Sequence, residues 1–193
     1  MSLGYLGDSF DIHTGGEDNI FPHHEAEVVQ SEGATKKPFA RFWIHTRHLL
    51  VDGEKMAKSK GNFYTLSDII EKGFDPMDLR LAMLASHYRS QMNFTWNALE
   101  QARTNRNTLE TLRTRLAESS ANSGESLDTE AFTRSFASAI EDDLNTPEAI
   151  ALLLTLANET NKKLDEQSLS NPEDVLKTIN ESLDLLGIVP EKK

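Results

Sequence analysis

The sequence predicts an α/β segment that runs into a helix bundle, with the boundary near residues 74 and 75. Three observations predict it. Short β-branched or aromatic runs alternate with Gly-rich turns in the first part. Apolar residues recur at helical spacing from about residue 75 onward. The charge is also uneven: residues 1–118 hold 14 Lys/Arg against 16 Asp/Glu, whereas residues 119–193 hold 6 against 15.

In chain order, "SFDIH", "FARFWIH" and "HLLVDG" read as strands, with a helix between residues 23 and 32. A sheet of two or three strands with one helix is a poor stand-alone domain, so residues 1–74 are expected to be the back of a larger α/β domain whose front is missing. "FDPMDLRLAMLASHY" starts a helix near Asp75–Pro76. Residues 97–117 place Leu99, Ala102, Leu109, Leu112 and Leu116 on one helical face, with Thr95 as N-cap. "ESSANSGES", 118–126, lacks apolar periodicity and reads as a loop or flexible linker. Two or three further helices follow. One has Thr146 as cap, Pro147 at its first position and a basic Lys162–Lys163 end. Another runs from Asn171 and stops at Gly187. Residues 75–193 are thus expected to be a helical bundle domain.

The bulk properties exclude several classes. The chain has 193 residues, 38% hydrophobic, with a net charge of -11, enough to bury a core in one domain or two small ones. No apolar run of membrane-spanning length occurs, and the N-terminus lacks the pattern of a signal peptide. With no cysteine there is neither a disulfide nor a cysteine nucleophile or zinc thiolate within the chain. A cytoplasmic protein is expected. A surface meeting a phosphate polymer belongs in the first part, because the acidic tail would repel it.

Three stretches carry candidate chemistry. In "HTGGEDNIFPHHEAE", 13–27, Gly15 and Gly16 permit close approach of backbone to a ligand, and Asp18 offers a carboxylate to a ribose. His23 and Glu27 lie four apart, on one face of a helix, where they could share a metal; such a pair is also an ordinary surface pair, and two ligands leave a zinc half-coordinated. In "VDGEKMAKSKGNFY", 51–64, Lys55, Lys58 and Lys60 crowd a Gly-containing loop suited to pyrophosphate. On residue type alone, a solvated hairpin is the more ordinary reading. In "IHTRH", 44–48, His45 and His48 form a weak His-x-x-His pattern that a strand-end histidine would also explain.

Taken in order, "YLGDSFDIHTGGEDNIFPHHEAEVVQSE", "FARFWIHTRHLLVDGEKMAKSKGNFYTLSDII" and "FDPMDLRLAMLASHYRSQMNFT" resemble the cysteinyl-tRNA synthetases, a class I aminoacyl-tRNA synthetase family. "KMAKS" corresponds to the KMSKS loop and "GEDNIFPHHEAE" to a Gly-x-Asp and zinc-ligand segment. "DDLNTPEAIALLLTLANETNK" resembles the family's helical domain. The resemblance implies the C-terminal part of a Rossmann-like catalytic domain followed by a helical bundle. It implies His23 and Glu27 as zinc ligands, the remaining ligands lying outside this chain. Zinc would bind the substrate cysteine through its soft sulfur. It also implies Gly15, Gly16 and Asp18 against the adenosine of ATP, with Trp43 and His45 lining the site and His45 among the ATP contacts. Lys55 and especially Lys58 would stabilise the α-phosphate and pyrophosphate. The implied partners are tRNA(Cys), L-cysteine and ATP.

Ala57 and Ala26 stand where the family usually has serine and asparagine, and Arg47 where it often has glycine. The family's His-Ile-Gly-His motif and two zinc-binding cysteines do not occur in these residues. The chain is therefore expected to be a fragment unable to activate cysteine by itself and to self-associate through its exposed sheet. Two other readings remain at this point: a cysteine ligase of amino-sugar thiol biosynthesis, and a truncated, non-catalytic RNA-binding or helical interaction module.

Overall fold

The computed structural model describes residues 2–188. They form two compact units, one comprising residues 2–56 and 88–93, the other 57–87 and 94–188. The boundary expected near 74–75 therefore lies inside the second unit.

The first unit begins with a short helix, α1 (Ser2–Leu6), then a βαβ crossover: β1 (Phe10–Gly16), α2 (Glu25–Thr35) and β2 (Ala40–Thr46). β1 and β2 pair in parallel, with Phe10 opposite Ala40, His13 opposite Trp43 and Gly15 opposite His45. Parallel neighbours need such a long crossover, and a helix supplies it. A hairpin of β3 (Leu50–Val51) and β4 (Glu54–Lys55) follows. Its two-residue turn has positive φ at both Asp52 and Gly53 (50° and 80°). That is the primed turn whose twist matches a tight hairpin, and the Asp-Gly pair suits it. The chain returns beside β3, where the Leu50 N–H donates to the Met92 carbonyl at 2.8 Å, and enters β5 (Asn93–Phe94).

The second unit is helical: α3 (Leu66–Glu71), α4 (Pro76–Leu84), α5 (Trp96–Glu118), α6 (Thr129–Glu141), α7 (Thr146–Asp165) and α8 (Pro172–Leu186). α4 packs on α5, α6 on α7, and α5 also meets α7 and α8. The apolar stripe read from the sequence of α5 is the buried one: Leu99, Ala102, Leu109, Leu112 and Leu116 are all in the core. Capping explains the starts. Asp75 and Asp78 form a reciprocal capping box ahead of Pro76, Thr65 and Asp68 another, and Thr95 accepts from the Ala98 N–H at 3.1 Å. At α7 the cap is Asn145, not Thr146: the Asn145 side chain accepts from the Glu148 N–H. The Thr146 hydroxyl instead donates to the Leu84 carbonyl at 2.7 Å, a tertiary bond that draws it into the helix.

α8 stops at Gly187 as its sequence predicts. Gly187 has φ 65°, its N–H donates to the Asp184 carbonyl, and the Ile188 N–H donates to the Leu183 carbonyl. Leu183 and Ile188 are both buried, completing a Schellman end with its apolar contact. Between α5 and α6, the Asn122 N–H donates to the Leu169 carbonyl at 2.9 Å and the Ser170 N–H to the Glu125 carbonyl at 3.3 Å. Lys163 pairs with Glu125 at 3.0 Å. The Ser/Gly-rich connection is thus tied along residues 168–170.

Candidate functional site

The first unit gathers a histidine cluster at the ends of β1 and β2. Strand alternation puts His13 and Gly15 on one face, and the parallel register places Trp43 and His45 across from them. Gly15 leaves a hole on that face. The ring of His24 fills it: a Cβ on Gly15 would lie 2.8 Å from His24 Nε2 and 2.6 Å from its Cε1. No side chain larger than hydrogen fits there while His24 keeps its place. His24 reaches the spot because the helical stretch Ile20–His24 is interrupted at extended Phe21 before α2 begins. The result buries His24, at 8% exposure, while its neighbour His23 is exposed.

Contacts knit the cluster. His24 Nδ1 lies 2.8 Å from His45 Nε2, one nitrogen donating to the other. His13 Nε2 lies 2.8 Å from Glu27 Oε2. The His13 ring meets those of His24 and Trp43 edge-on at 4.8 and 4.7 Å between centroids. Burial, then the neighbouring His13 and His45, hold the His24 imidazole below its ordinary pKa, with Glu27 pulling the other way. The ligand atoms of His13, His24 and Glu27 all lie within 4.8 Å of one another. Two imidazole nitrogens and a carboxylate are a donor set that zinc accepts.

The expected site residues are distributed as follows. Glu27 and His45 join the cluster, and Trp43 walls it. His23 is outside this group. Asp18 is exposed at the end of β1, its carboxylate 3.5 Å from His48 Nε2, and Glu17 beside it pairs with Arg47 at 3.1 Å. Glu17, Ile20, Trp43, His45 and Arg47 help line a cavity of about 280 Å³ in this unit. Gly16 adjoins that corner, close to the Asp18 carboxylate. Lys55 lies exposed on β4 in the first unit, and Lys58 belongs to the second.

In the second unit Lys58–Lys60 form one tight helical turn that ends at Gly61 with φ 68°. The Ala57 N–H donates to Asn62 Oδ1 at 2.8 Å, so the side chain of Asn62 closes this turn. Lys58 Nζ is 5.3 Å from the centroid of Phe63, a cation–π contact that parks the ammonium on the exposed side.

Sequence reading passed over His13 and His24. A signal existed for His13, which shares a strand face with Gly15; His24, just ahead of α2, carried none, because no residue of that helix is buried. Their convergence depends on pairing with β2, which no local pattern reveals.

A parallel crossover with its polar cluster at the strand ends, leading into a capped helix bundle, is the architecture of a class I synthetase catalytic domain passing into its helical region. In fold it is similar to the crystal structure of the Agrobacterium radiobacter K84 LeuRS in a ternary complex with tRNA, at TM-score 0.67 and 18% identity over 92% of this chain and 25% of that one. The chain belongs to the family described as "tRNA synthetases class I (C) catalytic domain", which residues 1–104 match. Residues 135–190 match the DALR domain.

The cysteine--tRNA ligase of Thermus thermophilus is 44% identical over all of this chain and 41% of its own length. That of Chlamydia abortus is 42% identical over 98% of this chain and 41% of its own. The chain thus spans about two-fifths of the length of the curated relatives it matches. Among the described residues, no helix is long and apolar enough to cross a membrane.

Proposed function

We propose that this chain is part of a cytoplasmic cysteine–tRNA ligase. The carboxylate of cysteine attacks the α-phosphorus of ATP, the bond to the β-phosphate oxygen breaks, and pyrophosphate leaves. The tRNA(Cys) 3′-terminal hydroxyl then attacks the cysteinyl-adenylate carbonyl and AMP leaves. The single observation carrying this reading is the family match over residues 1–104, which contains both the Gly-x-Asp segment and the lysine loop.

The residues here have separable parts in it. Asp18, beside Gly15 and Gly16, would hold the ribose, and His45 at the cavity wall would meet the adenosine. Lys55 and Lys58 would neutralise charge that develops on the α-phosphate and leaving pyrophosphate, as point charges on a short loop. The tight turn at 58–60 and the Asn62 bond set that loop's shape, and Gly61 lets it turn. Zinc, with Glu27 and His23 as the family's expected ligands on this chain, would supply a centre for the substrate thiolate. Of the two, Glu27 lies within a suitable donor group and His23 stands outside it.

The 193 residues hold no His-x-Gly-His sequence and no cysteine. Assayed alone with ATP, zinc and cysteine, they are expected to give no ATP–pyrophosphate exchange above background. Clear turnover would overturn the view that the catalytic set is incomplete.

Self-association of the chain is part of the same proposal. Ile12 and Phe42 are cross-strand partners, and they are 55% and 54% exposed. Parallel sheets are ordinarily covered on both faces. Sedimentation at rising concentration should show mass above the monomer, reduced by Ile12→Lys; a monomer throughout would reject it.

A further inference from the structure

Trp43 and His45 occupy alternate positions of β2, and Arg47 continues that alternation just past the end of the strand. All three line the cavity of about 280 Å³. The indole and imidazole planes lie within 9° of parallel, their centroids 6.1 Å apart. We propose that the Arg47 guanidinium, fixed in place by Glu17, is a third flat wall of this cavity and stacks on the purine base of a bound nucleotide. This role rests on the reading of the corner as the nucleoside end of an ATP site. It adds to that reading a residue that the family resemblance does not supply, since Arg47 stands where the family often has glycine.

The strand register explains how the guanidinium is held. Gly16 opposite Thr46 is the last pair of β1 and β2, so Glu17 and Arg47 leave the two strand ends side by side. Arg47 Nε donates to Glu17 Oε2 at 3.1 Å, and the Arg47 N–H donates to the Tyr88 carbonyl at 3.4 Å. The two side chains are 51% and 42% exposed. An ion pair that open to water adds little stability. What it does instead is hold a planar cation in one orientation, which lowers the ordering cost when a ring packs on it.

The same pair favours the base over the phosphates. Glu17 lines the cavity together with Arg47, so a phosphate approaching the guanidinium also meets a carboxylate of like charge. A neutral purine meets no such repulsion and gains contact with flat, polarisable faces. The cavity volume is at the small end of ligand-binding cavities, which suits a nucleoside and leaves a triphosphate chain outside. Asp18 directly follows Glu17 in the chain, so the carboxylate expected to receive the ribose stands next to the residue that sets the base wall.

The test is titration of the 193-residue chain with adenosine and, separately, with ATP. Binding is followed in ¹⁵N–¹H spectra through the Arg47 Nε–H and the Trp43 indole N–H. Arg47→Gly should weaken adenosine and ATP by the same factor, about two- to fivefold. Arg47→Lys keeps the charge without the plane and should restore less than half of that loss. Glu17→Gln should weaken adenosine less than Arg47→Gly does, and have no further effect in the Arg47→Gly background, because it acts only through the guanidinium. Circular dichroism of each variant checks the fold. Weakening of ATP alone, or full rescue by lysine, would place Arg47 on a phosphate and overturn the proposal. If the unmodified chain binds both ligands and Arg47→Gly changes neither, the Arg47 role alone falls. If the unmodified chain binds neither, the nucleoside reading of the corner falls and this role with it.

Discussion

Asp78→Ala is expected to destabilise the second unit by about 3 kcal/mol, the lower end of the range for breaking a buried ion pair. Asp78 is fully buried on α4, and one carboxylate oxygen accepts from Arg106 Nε on α5 at 2.6 Å. The other accepts from the Asp75 N–H at 2.9 Å, closing the cap of α4. Alanine therefore removes a cap and strands a largely buried guanidinium at once. Burial works against that guanidinium's charge, but the Asp78 bond and the charges of Asp78 and Glu110 raise its pKa, so it stays ionised. Glu110 remains at 2.5 Å after the substitution, which is why the loss stays at the lower end. The double variant Asp78→Leu/Arg106→Met should recover most of the loss, since an apolar pair of similar volume needs no compensation for lost hydration. Urea unfolding followed by the fluorescence of Trp96 in a Trp43→Phe background reads this unit alone. A single-variant loss below about 1 kcal/mol, the range of exposed pairs, would reject the buried-pair account.

Leu112→Ala is expected to cost about 2–5 kcal/mol in the same measurement. Leu112 has no exposed surface and sits on α5, the helix against which α4, α7 and α8 all pack. Truncation removes buried apolar surface and leaves a cavity that several helices bound, so no single one can shift to fill it. Leu185, 64% exposed on α8, serves as the control: its alanine variant should change stability by less than about 0.5 kcal/mol. Equal losses at the two positions would mean that the buried stripe is not what holds the bundle.

The bundle was largely legible in the sequence because its signals are local. The five apolar positions of α5 lie at helical spacing and are all buried. Gly187 ends α8 because only a residue free of a Cβ enters the left-handed region cheaply. α6 was not singled out, although Asp128, whose side chain accepts from the Ala131 N–H, and the pair Phe132 and Phe136 carried the same grammar. At α7 the local signal was ambiguous. Asn145 and Thr146 both suit a cap, and the bond from Thr146 to Leu84, 62 residues away, decided between them.

In the candidate site, residue types were readable and their partners were not. Glycines, histidines and a glutamate in "HTGGEDNIFPHHEAE" and the lysines of "KMAKSK" were candidates by residue type, and the family resemblance, not the types alone, turned them into an expected ligand corner and phosphate loop. Helical spacing drew His23 toward Glu27. The interruption at Phe21 and the hole above Gly15 drew His24 inward instead. The chain's own pattern thus determined the strands, the capped helices and the family. Tertiary structure decided which histidine is buried, which partner Glu27 takes and which residue caps α7. These depend on strands brought into register across a crossover and on helices distant in sequence, where a side chain's position is set by the space its neighbours leave.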